Sequence, residues 1–327
     1  MNNIKTALIY CFSGTGNTEK MANEYKKIFE ENNVSTTIYK VSNDFSNMPN
    51  NNDYDLIGIA YPIHGFNPPY PILDIVKEFP KVDNKQLFII KSSGEPLTIN
   101  NVSSAPIMST LKNKGYILTN EYHYVMPYNI IFRHTDEMAA KMYRTAKALC
   151  SIEAMEVLRG EKNLLKKFPF ERLISFIFRI EHPAMKINGN LFKVKKFCIH
   201  CNLCVKKCPI NNVYNDENGD IKFKNKCVMC TACAFHCPVD AITIGILNGW
   251  RVNGPYKFNN PPKAKEDKHK NYCKKAYAKY FKNAKEKITN YSLYANNDIK
   301  SKLNYKNIEE YLIKENNIEN IEESIAV

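Results

Sequence analysis

Eight cysteines fall between positions 198 and 237 in two copies of one pattern. The first is Cys198-x-x-Cys201-x-x-Cys204-x-x-x-Cys208-Pro209, and the second is Cys227-x-x-Cys230-x-x-Cys233-x-x-x-Cys237-Pro238. Three closely spaced thiolates can wrap one face of an iron–sulfur cubane while a remote fourth completes it. Structural zinc takes two separated pairs of ligands, so the triple spacing argues for iron. Cys11, Cys150 and Cys273 have no partner at ligand spacing and read as unreactive thiols.

The duplicated run resembles that of bacterial two-cluster ferredoxins. The resemblance implies that three cysteines bind one cubane and the fourth crosses to the other. The first 4Fe–4S cluster would then use Cys198, Cys201, Cys204 and Cys237, and the second Cys227, Cys230, Cys233 and Cys208. Asn218–Gly219 supplies a hairpin turn between the repeats.

A second chemical signal lies near the N-terminus. Ser13–Gly14–Thr15–Gly16–Asn17–Thr18 separates an apolar strand from a helical pattern. A phosphate there meets backbone N–H groups, the positive helix end and hydroxyl side chains, with Gly14 and Gly16 letting the backbone close around it. No Walker sequence is present, and Glu19 stands where a dinucleotide fingerprint needs its third glycine. A neutral hydroxyl loop suits the terminal monophosphate of FMN.

Positioning these groups takes an alternation of strands and helices. Thr6 to Cys11, Val34 to Val41, Asp55 to Ala60, Gln86 to Lys91 and Tyr116 to Met126 read as strands. Thr18 to Glu31, Pro71 to Phe79, Val102 to Lys114 and Asp136 to Arg159 read as helices. The expected fold is α/β, a five-stranded doubly wound sheet, followed by a small α+β two-cluster domain and a basic helical extension. The expected divisions are 1–160, an amphipathic connector at 161–187, 188–247 and 248–327.

Over about Lys5 to Arg159 the chain resembles flavodoxin, on the SGTGNT loop and the strand order. The resemblance implies FMN, with the ring flanked by Pro62, Ile63, His64, Gly65 and Phe66 after the third strand, and Ser92, Ser93, Gly94 and Glu95 after the fourth. Trp250, the only tryptophan, falls outside that domain, leaving Phe66, Tyr61 or Tyr128 to stack on the ring. His64 would donate a hydrogen bond to reduced flavin. The whole resembles flavodoxin–ferredoxin fusion proteins of anaerobic, low-GC bacteria, which implies cytoplasmic electron transfer with FMN and two 4Fe–4S clusters.

The formal net charge of +13 favours acidic partners, such as redox proteins with acidic docking surfaces. There is no apolar run long enough for a membrane-spanning helix and no cleavable-signal pattern at Met1 to Tyr10. The connector from Lys162 to Lys186 reads as a helix packing the domains together, or as a membrane-surface contact. Three functions fit: an electron carrier with protein partners and no catalytic residue, a flavin reductase of a small acceptor, and a regulatory protein. The last would bind nucleic acid or membrane through Lys257, Lys263, Lys265, Lys268, Lys270, Lys274, Lys275, Lys279 and Lys282, with Tyr272, Tyr277 and Tyr280 between them; specific nucleic-acid binding is not expected.

Overall fold

A computed structural model describes residues 4–263, 273–294 and 305–315. Five apolar runs form strands β1 (Thr6–Cys11), β2 (Ser35–Lys40), β3 (Leu56–Pro62), β4 (Lys85–Ser93) and β5 (Tyr116–Val125). They pair in parallel in the order β2-β1-β3-β4-β5. That is the doubly wound order in which ligands sit at the strand carboxyl ends, where the chain reverses direction across the sheet.

The sheet separates two cores. Met21, Ala22 and Tyr25 of α1 (Asn17–Glu31) and Ala146, Leu149 and Ile152 of α4 (Asp136–Arg159) pack with Ala7, Ile9 and Phe88. On the opposite face, α2 (Tyr70–Glu78) and α3 (Ala105–Leu111) pack with Leu8, Tyr10 and Ile57. Burial on both faces explains why these strands are continuously apolar. Helix α4 spans the expected residues: Thr135 accepts a hydrogen bond from Met138 N at 3.1 Å, and Gly160, at φ 75°, closes the other end. The single helix expected at Val102 to Lys114 is broken. Pro106 lacks an N–H and fits only a first turn, so a 3-10 segment, Thr98–Ser104, precedes α3.

Helices α5 (Pro169–Phe178) and α6 (Glu181–Gly189) connect the sheet to a smaller unit. There, β6 (Phe192–Val194) pairs antiparallel with β9 (Ile242–Ile244), and β7 (Val213–Asn215) with β8 (Ile221–Phe223). Short helices α7 (Leu203–Lys207) and α8 (Ala232–Phe235) follow the cysteine loops. Gly219, at φ 80°, makes the turn between β7 and β8, as expected. Ile210, Val228, Cys230 and Ala232 join the core of Leu8 and Tyr10, so the two units share apolar packing.

The C-terminal extension is helical, as expected, and it packs on the sheet domain. Helix α9 (Lys274–Tyr294) and a helix at 305–315, α10, dock on α4. Ala284, Ile288, Ile308 and Tyr311 enter the α1/α4 core, and Lys287 Nζ lies 2.9 Å from Glu153 and 2.8 Å from Glu156. Tyr277 is buried and the Tyr280 ring packs against the same core, which removes those two aromatic faces from a nucleic-acid surface. Lys265, Lys268, Lys270 and Tyr272 lie outside the described residues.

Candidate redox site

Loops after β1, β3, β4 and β5 converge on one cavity of about 580 Å³. Its walls include Ser13, Gly14, Thr15, Asn17, Thr18, Pro62, Ile63, His64, Gly65, Phe66, Ser92, Ser93, Gly94 and Glu95, every cofactor residue expected from sequence except Gly16. Gly16 is instead the cap residue of α1, at φ 95°, and, lacking a side chain, it gives the first-turn amides no cap. Uncapped amides beside hydroxyl groups suit an anion. Two hydroxyls are already engaged: Thr18 with Ser92 at 2.7 Å, and Thr15 as acceptor from Asn129 Nδ2 at 3.3 Å. A cation missed by sequence reasoning sits nearby, with Lys20 Nζ 3.8 Å from where a Cβ of Gly16 would stand.

The aromatic surfaces partly correct the expectation. Phe66 lines the cavity and meets Phe178 edge-on at 5.0 Å. Tyr128 also lines it, and its hydroxyl donates to Glu95, whose pKa burial raises. Tyr61 is fully buried with its hydroxyl 3.2 Å from Ser103 Oγ, so it is not a stacking surface. Trp250 does line the cavity, brought there by the Ile131 N–H donating to its carbonyl at 2.8 Å. His64 sits between the cavity and the smaller unit. Burial lowers its pKa to about 4, with His182 adding to the effect, while a hydrogen bond to the Val228 backbone opposes it.

Connector residues Phe178, Glu181, Ala184, Met185 and Asn188 complete one wall, and Met229 and Cys230 another. Asn129 joins the units, donating to Cys230 O at 3.1 Å and accepting from Thr231 Oγ1 at 3.0 Å. Gly14 lies directly against the cysteine loop: an ideal Cβ there would stand 2.6 Å from Cys230 Cβ and 3.0 Å from its Sγ. Asn67, missed by sequence reasoning, is fully buried and anchors the connector through the Ser175 carbonyl at 2.8 Å. A buried Asn beside a ring loop leaves no periodic signal; such positions emerge only once the chain is folded.

The cysteine loops are built as two matching halves. His200, Asn202 and Asn211 take left-handed conformations in the first, and Met229, Thr231 and Asp240 take them at the same intervals in the second. His200 N and Met229 N each donate to the first cysteine of their motif at 3.4 Å. Asn212 N donates to Cys208 Sγ at 3.1 Å and Ala241 N to Cys237 Sγ at 3.2 Å. Amides aimed at sulfur stabilise thiolate ligands and raise a cluster's potential. Cys208, Cys227, Cys230 and Cys233 line one small cavity, the set expected to share a cluster. Among the described residues no three His, Cys, Asp or Glu side chains are grouped as a single ion would require. Ligands set around a cavity rather than a point fit a cubane. Burial pushes the Cys204 and Cys227 thiols up to about 11, a cost that iron's charge would reverse. Cys11, Cys150 and Cys273 are buried, and burial raises the first two thiols well out of the reactive range.

Residues 188–242 match the 4Fe–4S dicluster domain family. No curated protein matches this chain. Among solved structures, an archaeal flavodoxin is 15% identical over 47% of this chain and 99% of its own, with a TM-score of 0.32. A flavodoxin from Streptococcus pneumonia TIGR4 is 14% identical over 55% and 98%, at 0.31, and flavodoxin 2 of Bacillus cereus is 15% identical over 47% and 98%, at 0.35. At such values it is the strand order that identifies the sheet. The chain joins a flavodoxin-like sheet domain to a 4Fe–4S dicluster domain.

Proposed function

We propose that the chain is an electron-transfer protein holding FMN in the cavity and two 4Fe–4S clusters in the cysteine loops. One observation carries this reading: the phosphate-type loop and the second cysteine motif share a wall, with Gly14 in contact with Cys230. Bound flavin would supply a carrier of one or two electrons beside one-electron clusters.

The chain's own residues divide the work. First-turn amides of α1 with Ser13 and Thr15 would hold the phosphate, and Phe66, Tyr128 and Trp250 offer aromatic surfaces to the ring. Phe178, Ala184 and Met185 limit water on the connector side. Cys208, Cys227, Cys230 and Cys233 would hold the cavity-side cluster, and Cys198, Cys201, Cys204 and Cys237 the outer one, toward redox partners. Cys201 is exposed, which supports an outer exit for electrons. The excess of positive charge favours acidic surfaces on those partners.

Anaerobic purification with iron, sulfide and flavin assays tests the reading. About eight iron, about eight sulfide and about one FMN per chain are expected. Iron without flavin would overturn the FMN assignment, and zinc without iron would overturn both clusters.

A further inference from the structure

Helices on a protein surface turn their apolar side chains inward. Helix α5 and the chain after it do the reverse. Glu171 and Ser175 are buried, at 8% and 2% exposure, while Phe170, Ile177 and Ile180 are 70%, 59% and 72% exposed. Leu173, Phe176 and Ile187 are exposed beside them. Hydrogen bonds enforce this orientation. Ser175 Oγ donates to Phe66 O at 3.1 Å and to Asn67 Oδ1 at 3.0 Å, and Glu171 accepts from Phe168 N at 3.1 Å. Rotating the apolar face inward would break the contacts that hold the loop after β3.

Charge follows the same division. Glu171 and Glu181 are the only acidic residues from 162 to 189, and both turn toward the protein, Glu181 against Gly65. Lys162, Lys166 and Arg172 are exposed. From 162 to 189 the outward side chains are therefore apolar or cationic, and the exposed carboxylate just before them, Glu161, is paired with Arg159 at 2.5 Å.

We propose that this face seats on an anionic bilayer, with the apolar side chains in the headgroup–acyl boundary and the cations on lipid phosphates. A protein interface of ordinary size needs about one hydrogen bond per 100–200 Å². The stripe offers none between its apolar side chains, and a bilayer asks for none there. The contact is peripheral, since among the described residues no helix is long and apolar enough to cross a membrane. Phe178, Ala184 and Met185 of the same helices wall the cavity, so seating would bring the cavity to the lipid surface. The inference does not depend on which cofactors are bound.

Co-sedimentation of the full chain, as purified, with extruded vesicles tests it. Binding is expected to vesicles of equal parts phosphatidylcholine and phosphatidylglycerol, and far less to phosphatidylcholine alone. Raising salt from about 0.1 M to about 0.5 M weakens it several-fold. The double variant Phe170→Ser/Ile177→Ser loses at least about tenfold in partitioning, as does Lys166→Glu/Arg172→Glu on anionic vesicles. These side chains are exposed, so thermal melting and iron content stay at wild-type values. Failure of folded wild-type chain to bind mixed vesicles overturns the proposal, as does undiminished binding by the Phe170→Ser/Ile177→Ser variant. A wild-type dimer that this variant splits, without vesicle binding, assigns the face to a second copy and also overturns it. So does affinity for an acidic redox protein that the variant loses while vesicles are ignored.

Discussion

The carboxyl group of Glu181 occupies the space that a side chain at Gly65 would need. An ideal Cβ at Gly65 would lie 2.1 Å from Glu181 Oε2 and 2.4 Å from Cδ, and the residue's φ of 48° already disfavours a side chain. The loop after β3 and the wall formed by α6 are thus fitted together by the absence of one methyl group.

Gly65→Ala should displace the Glu181 carboxyl and strain the loop at its φ of 48°, costing about 1–3 kcal/mol in stability and weakening FMN retention at least about tenfold. Urea unfolding and fluorescence titration of the flavin-free chain read the two effects. If FMN affinity stays at the wild-type value, α6 is no part of the flavin site.

Gly14 makes the corresponding contact on the cluster side. Gly14→Ala should force the phosphate-type loop from Cys230, lowering both FMN and iron per chain. Gly219→Ala is the control: nothing lies within 4 Å of its added Cβ, so it pays only for its φ of 80°, about 1 kcal/mol. Loss of cofactors in the control but not in Gly14→Ala would refute a shared wall.

Elements whose signals are local were legible in the sequence. Asp136 to Arg159 carries its own cap, acidic first turn and terminal glycine, and the cysteine repeat fixes its turns by spacing. Contributions from remote segments were not legible. Trp250 reaches the cavity through one backbone hydrogen bond with Ile131, and Asn129 bridges Thr15 and Cys230. Periodicity showed the connector to be two-faced but not that its polar face turns inward, because that depends on Asn67. Nor could spacing show that Lys91, in an apolar strand, ends 2.8 Å from buried Glu121, which also meets Lys167 at 2.6 Å.

His123 gives the fold a pH dependence. Burial, with the Lys91 charge adding to it, lowers its pKa from 6.5 to about 3, while Ser93 Oγ lies 2.7 Å from Nε2. The unfolded chain takes up this proton as pH falls through about 6.5 and the folded chain does not, so stability present above that pH is lost progressively toward about 3. The residue keeps some surface exposure, which trims the effect. Between about pH 7 and about pH 5 the wild type should lose about 1–2 kcal/mol more than His123→Gln, measured by anaerobic chemical unfolding. Parallel pH curves would clear His123 of the effect.

The two crossing cysteines should have unequal consequences. Cys208 belongs to the first motif by sequence, yet it lines a cavity with Cys227, Cys230 and Cys233 of the second. On the proposed reading it would serve the cluster whose loop leans on Gly14, whereas Cys237 would serve the outer one. Cys208→Ser should therefore lose the cavity-side cluster and, with it, much of the FMN. Cys237→Ser should keep FMN near the wild-type level while iron falls to about half. Iron and flavin assays on anaerobically purified variants separate these outcomes. Equal flavin loss in both variants, or loss confined to Cys237→Ser, would mean that the cluster beside the flavin has the other ligand set.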